Sequence, residues 1–409
     1  MSEVVPDEDV PMSKKTHIHT ADLHGFRHLA IDLLEGLTDL VEATHLEFLD
    51  NWGGNASGLT GMTGLAYRGI RSLTGMLGSA LEQVLELSRP MLGEQGSSPE
   101  REATLAALNG ILGDHLEQSG NPLAIRMRLR SNGMVLKLDR AALEQALPQA
   151  GAKLLILVHG LCRSDLQWRR RNHDHGAALA HDLGYTTLYL HYNSGRHVST
   201  NGRQFAALIE TLIAQWPVPP EHLALLGHSM GGLLIRSACH YGADAEHHWL
   251  RYLRKVVFLG TPHHGAPLER GGSWLTDLLG KSPYIAPLAR LGRVRSAGIT
   301  DLRYGNLIDE DWKGHDRFEH LGDMRTPVPL PRGVACYALA ATTGKRTGDF
   351  SDRLLGDALV PLASALGRHE VPALNLAFPK SHLAIVHEMH HLDLLSRPEA
   401  YQKIRRWLA

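Results

Sequence analysis

The sequence predicts an α/β protein in which helices cover both faces of a mostly parallel β-sheet. Short apolar runs alternate with stretches of helical period from residue 153 onward, which is the arrangement of βα units. The runs "KLLILVHG", "TTLYLHY", "LALLGHS" and "KVVFLGTP" read as buried strands, and the segments between them as helices. In one place, "LALLGHSMGGLLIRSA", the period changes from strand to helix across a tight glycine-flanked turn.

The N-terminal part lacks this alternation. Residues 1–16 are acidic, contain proline and have no period, so they read as a disordered tail. From Thr20 to Leu49 the apolar spacing is helical (Leu33, Leu34, Leu37, Leu40, Val41). After the glycine-rich "GGNASGLTGMTGLAYRG" a second amphipathic run places Leu73, Met76, Leu77, Ala80, Leu81 and Val84 on one face. The glycines read as a loop leading into a packed helix; close packing or interfacial membrane contact is the other reading of Gly58, Gly61 and Gly64. In "GEQGSSPERE", Ser98 is the expected N-cap and Pro99 the first helical residue, with Glu100 and Glu102 favoured by the helix dipole. That helix should run to about Gln118 and close a helical region spanning 17–119.

The α/β domain is expected over 120–409. It opens with a hairpin, "AIRMRLRSNGMVLKL", turning at Ser-Asn-Gly with one wet face. "GAALAHDLG" is a helix closed by Gly184, and "NGRQFAALIETLIAQW" another. After Gly265 the alternation breaks, and residues from 266 to about 332 read as a helical cap with Trp274, Leu275, Leu278 and Leu279 at helical spacing. The sheet resumes at "VACYALAA" and ends at "LAIVHEM", a strand that should include His387. For the last helix Ser396 and Glu399 form a capping box, with Pro398 in the first turn.

Composition removes several function classes. Lys+Arg of 42 against Asp+Glu of 43 provides no field for nucleic acid. Three separated cysteines suggest neither a disulfide framework nor a zinc site, and point to a reducing, cytoplasmic compartment. No secretory signal and no run of eighteen apolar residues is visible. The 26 histidines form clumps, such as His173/His175 and His263/His264, but without metalloprotease-like spacing, so no metal or other cofactor is expected.

The chemistry centres on Ser229. A serine hydroxyl needs a base to take its proton and fixed donors for the oxyanion it creates. In Gly227-His228-Ser229-Met230-Gly231 a strand-turn-helix lifts the hydroxyl clear of the sheet, and glycines stand where strand and helix pass closely.

With "LVHGLC", "GHSMGG", "GTPHHG", "GDALVP" and "HLDLL", residues 120–409 resemble the α/β-hydrolase superfamily, in its lipase and esterase branch. The order and spacing are similar to the GPI inositol-deacylase-like bacterial esterases. The resemblance implies an oxyanion hole from the N–H groups of Leu161 and Met230. The base must be a histidine at the C-terminal edge of the sheet. His382 precedes the last strand, His387 falls within it, and His390 and His391 follow it; His391 fits the family's H-x-x-L-L run. Asp357 matches Asp-x-x-V-P after the penultimate strand, with Asp349 and Asp352 as alternatives. His159, His228, His263 and Trp274 are expected to line the substrate site, and Cys162 to be a small buried neighbour.

These residues imply a cofactor-independent carboxylic ester hydrolase acting through an acyl-enzyme on a small-molecule or lipid-like ester. An acyltransferase or thioesterase with the same triad, and a non-catalytic membrane-surface or partner-binding protein, are the alternatives. Peripheral membrane contact, if present, would run through the N-terminal helices or the cap.

Overall fold

The computed structural model describes residues 22, 24, 25, 28, 99–266, 296–314, 323–345 and 356–409. The chain divides into two compact units, Met1–Arg101 and Glu102–Ala409. The tail expected to be disordered, most of the expected N-terminal helical region, and Trp274 with the neighbouring residues of the expected cap lie outside the described residues. The second unit contains the α/β domain.

The centre of this unit is an eight-stranded sheet ordered β10-β9-β8-β7-β3-β6-β1-β2. The strands are β1 (Arg128–Ser131), β2 (Met134–Val135), β3 (Lys153–Val158), β6 (Thr186–His191), β7 (His222–His228), β8 (Leu253–Leu259), β9 (Ala335–Ala341) and β10 (Leu383–Val386); β4 (Arg169–Arg170) and β5 (His173–Asp174) form a separate two-stranded ribbon. β6, β3, β7, β8, β9 and β10 are parallel; β1 runs against them, and β2, turning back on β1, runs with them at the sheet edge. The hairpin turns on Asn132 and Gly133, both with positive φ (49° and 78°), the backbone that a two-residue hairpin needs and that Asn-Gly supplies.

Successive side chains of a strand point to opposite faces, so a continuous apolar run feeds two cores at once. In β3, Leu154, Ile156 and Val158 enter one core, and Leu155 and Leu157 the other. The first is closed by α4 (Val198–Gln215; Phe205, Ile209, Leu212) and α5 (Met230–Asp244; Leu234, Ile235, Ala238). The second is closed by α3 (His175–Leu183; Leu179) and α8 (Pro398–Leu408; Ala400, Ile404, Trp407). Each such buried side chain contributes about 1.5–3 kcal/mol. Helix α1 spans Pro99–Gln118 and α2 Arg140–Ala146. From Glu102 onward α1 is part of this unit: the Asn193 amide donates to Gly113 O (2.8 Å), and the Ser296 hydroxyl to Gly110 O (2.6 Å). The short α6 (Ala297–Asp301) and α7 (Leu362–Ala365) complete the described helices.

Three boundaries differ from the local reading. α4 starts at Val198, three residues before "NGRQ", because the buried Asp301 carboxylate accepts the Val198 N–H at 2.7 Å. β10 ends at Val386, so His387 lies just past it, before Glu388 takes a positive φ of 53°. The last helix has Arg397, not Ser396, as its N-cap: Pro398 occupies the first helical position, where its missing N–H costs nothing, and no capping box forms. Among the described residues no helix is long and apolar enough to cross a membrane.

Candidate active site

Ser229 stands between β7 and α5 with φ 56° and ψ −129°, a backbone state that a non-glycine residue adopts only when its surroundings enforce it. Part of the enforcement is the Ser229 N–H, which donates to Leu259 O at 2.8 Å in the neighbouring strand. The flanking glycines supply the rest. A Cβ on Gly227 would lie 2.7 Å from Gly232 N, and one on Gly231 would lie 2.3 Å from Val158 O. Only bare backbone fits at either place.

The loop after β3 presses on the same turn. A Cβ on Gly160 would stand 2.9 Å from Ser229 Cβ. This brings Leu161 beside the serine, and no acceptor takes the Leu161 N–H among the described residues. Met230 is the first residue of α5, and an N–H in that position has no intrahelical partner. The next amide, Cys162 N–H, is already committed to Ser194 Oγ at 3.0 Å. Cys162 is buried with φ 56°, and burial pushes its thiol up to about 12, which leaves it protonated and inert.

His391 and Asp357 are joined twice. His391 Nδ1 lies 2.6 Å from Asp357 Oδ2, and His391 N–H donates to Asp357 O at 3.1 Å. The other carboxylate oxygen, Oδ1, accepts the N–H groups of Leu359 (3.1 Å) and Val360 (2.8 Å), so the acid is fixed before it meets the imidazole. The "HLDLL" segment forms a 3-10 turn, His391–Leu395, rather than open loop. The imidazole passes over Gly260: a Cβ there would lie 3.0 Å from His391 Nδ1 and Cε1, and φ is 53°. Leu259 and Gly260 therefore abut the serine on one side and the histidine on the other. His391 Nε2 is buried and has no hydrogen-bond partner among the described residues, so no bond joins it to Ser229 Oγ here.

The competing histidines are placed elsewhere. His382 hydrogen-bonds Cys336 O (3.0 Å) at the opposite end of β9, and the His390 side chain is exposed. Asp349 and Asp352 lie outside the described residues. His228 Nε2 lies 3.2 Å from His391 O, with the two rings 4.6 Å apart; burial, then the neighbouring His391, holds His228 well below its ordinary value and thus neutral. Its Nε2–H is the donor in that contact. His159 stacks on Tyr192 at 4.4 Å with Nδ1 2.9 Å from Gly160 O, and burial lowers it to about 3. His159, Gly160, Gln167, Trp168, His228 and Leu395 bound a cleft of about 10 Å³, room for one water.

His263 corrects the expectation of a site-lining residue. It is 0% exposed, with its ring against Phe258 (4.8 Å) and Phe378 (5.6 Å), so it is a core side chain. Trp274 lies outside the described residues. The local reading missed Trp168, which meets His228 edge-on, and Gly260, whose only sequence signal is its position at a strand end. It also missed a buried cluster in which Glu102, Asp165 and His191 offer ligand atoms within 4.8 Å of one another. Arg130 Nη1 lies 3.0 Å from both carboxylates, so a guanidinium already supplies the positive charge there.

Residues 150–320 match the family model described as PGAP1-like alpha/beta domain. No curated protein matches the chain. Among solved structures it is similar to phospholipase PlaB from Legionella pneumophila (17% identity, 52% of this chain and 44% of that one, TM-score 0.33). It is also similar to the Pyrococcus furiosus esterase Pf2001 (14%, 63% and 83%, TM-score 0.36) and to a hyperthermophilic esterase from Pyrobaculum calidifontis (12%, 63% and 75%, TM-score 0.37). The chain thus spans less than half the length of PlaB.

Proposed function

We propose that this chain, whose residues 150–320 match a PGAP1-like alpha/beta domain, is an α/β-hydrolase that cleaves carboxylic esters through Ser229, His391 and Asp357. The observation that carries the reading is the buried His391–Asp357 pair, 2.6 Å apart, beside a serine in a strained turn. Asp357 holds the imidazole with its proton on Nδ1, which leaves Nε2 as the basic nitrogen. Nε2 is also the nitrogen that nothing else engages among the described residues.

Ser229 Oγ would swing to Nε2, transfer its proton and attack the ester carbonyl carbon. The carbonyl oxygen becomes an oxyanion, which the Leu161 and Met230 N–H groups receive without moving, since both are backbone donors held by the fold. Collapse of this intermediate expels the alcohol, protonated by the imidazolium, and leaves an acyl-enzyme. Water, deprotonated by the same nitrogen, releases the acid and restores the serine. No step calls for a metal or cofactor.

Labelling with a fluorophosphonate probe, together with hydrolysis of p-nitrophenyl esters of graded chain length, tests the proposal. The wild-type chain should be labelled at Ser229 and turn over at least one ester, and Ser229→Ala should do neither. Labelling that persists in Ser229→Ala would assign the nucleophile elsewhere.

A further inference from the structure

The histidine clump His173/His175 stands outside the proposed triad, yet it ends on the turn that carries His391. His175 opens α3 and is fully buried, packed against the rings of Trp168 (6.3 Å) and Tyr401 (5.8 Å, stacked). Its Nε2 lies 2.8 Å from Leu394 O, across 219 positions of sequence, and its Nδ1 lies 2.7 Å from His173 Nε2. Burial holds His175 to about 4, so near neutral pH the ring is uncharged, with one donor nitrogen and one acceptor. A carbonyl can only accept. Nε2 therefore carries the proton, Nδ1 is bare, and His173 Nε2–H donates to it.

Both ends of this relay are held. Asp174 fixes the start of α3: its Oδ1 accepts the N–H groups of Gly176 (2.8 Å) and Ala177 (3.1 Å) and also the Tyr189 hydroxyl (2.7 Å). The receiving carbonyl belongs to the 3-10 turn His391–Leu395, and the last carbonyls of so short a helix have no donor inside it. Leu394 and Leu395 share a core with Leu179 of α3. At the front of the same turn His228 Nε2–H donates to His391 O at 3.2 Å, while Asp357 accepts His391 Nδ1–H on Oδ2 and His391 N–H on its carbonyl. Asp357 fixes how the imidazole is turned. The two buried histidines fix where the backbone beneath it sits.

We infer that His175 is a positioning residue for His391: its Nε2–H on Leu394 O sets the place of the turn, and so the reach of His391 Nε2 toward Ser229, while His173 locks the His175 tautomer that makes this bond. The inference rests on the reading of His391 as the base. His175 touches no substrate in this role, so its loss should show in kcat and not in KM.

Steady-state hydrolysis of a p-nitrophenyl ester by the full chain, together with the low-field proton NMR signal of His391 Nδ1–H, tests it. The signal is assigned by its loss in His391→Ala and needs no substrate. His175→Leu removes the donor; it should lower kcat by about 10–100-fold at unchanged KM, the cost of a reacting group misplaced by about 1 Å, and should shift or broaden the His391 signal. His175→Gln, whose side-chain amide carries an N–H close to the place of Nε2, should restore most of the rate and the wild-type signal. If His175→Leu fails to fold, His173→Phe carries the test: the His175 proton is then free to move to Nδ1, and kcat and the signal should change in the same direction, by less. A wild-type chain that turns over no ester, but whose His391 signal follows this order, would sink the ester reading and leave the positioning role standing. An unmoved signal in the folded variants, a loss that falls on KM, or a His175→Gln chain as impaired as His175→Leu overturns the inference.

Discussion

His391 Nδ1 lies 2.6 Å from Asp357 Oδ2, and the side chains are 3% and 1% exposed. In the proposed mechanism, the carboxylate in so dry a place serves to select the tautomer. Asp357→Asn should keep the shape and lower ester turnover by roughly 10⁴, because the amide can hold the imidazole with its proton on the wrong nitrogen. Ser229→Ala and His391→Ala should each lose about 10⁶. Steady-state kcat for the four proteins checks the ranking, and an Asp357→Asn enzyme of near wild-type rate would refute the role given to the acid.

Stability should decline as the solution is acidified. Burial holds His159 to about 3 and His175 to about 4, whereas in an unfolded chain both titrate near 6.5. As pH falls below about 6.5 the unfolded chain takes up protons that the folded chain refuses, so stability present above that value is lost toward the folded-state values. Each group contributes up to about 1.4 kcal/mol per pH unit in that window. Urea midpoints between about pH 7 and pH 4 should fall, and fall less steeply in His175→Gln; parallel curves would contradict the assignment.

Gly231→Ala should be costly although it adds one methyl group. The new Cβ would meet Val158 O at 2.3 Å and His159 O at 2.6 Å, both backbone atoms that cannot turn aside. The loss expected is at least the 1–3 kcal/mol typical of overpacking, with ester turnover reduced because Ser229 shifts as well. Chemical denaturation and kcat measured on the same preparation test both halves.

Asp301→Ala should loosen the start of α4. Its carboxylate accepts the Val198 N–H (2.7 Å), faces His197 Nδ1 (3.1 Å) and lies 3.2 Å from the Asn306 amide. Loss of a helix cap costs about 0.5–2 kcal/mol. Hydrogen exchange at the first turn of α4 should accelerate relative to its middle; uniform exchange along the helix would argue against a capping role.

Local pattern carried much of the domain. The strand runs, the Asn-Gly hairpin and the glycine-flanked Ser229 depend on neighbours within a few residues, and a short window contains that information. What a window could not contain were partners far away in sequence. α4 begins where it does because of a carboxylate 103 positions later. His263 looked like a site residue from its motif, but Phe378 claims its ring from beyond the next strand. At the last helix the two signals are both local and compete: Pro398 takes the first helical position, which its fixed φ suits, and Arg397 rather than Ser396 stands at the cap.

Helix α1 has a practical meaning for dissecting the chain. A Cβ on Gly110 would strike Cys162 Sγ and lie 2.8 Å from the Cys162 backbone, so the helix is flush with the turn that follows Leu161. Leu108, Ile111 and Leu116 are buried with it. An expression fragment started at residue 120, where the hairpin pattern begins, would strip away the buttress behind that turn and bare a greasy flank of the domain. A truncation meant to preserve the α/β domain should keep Glu102 and everything after it.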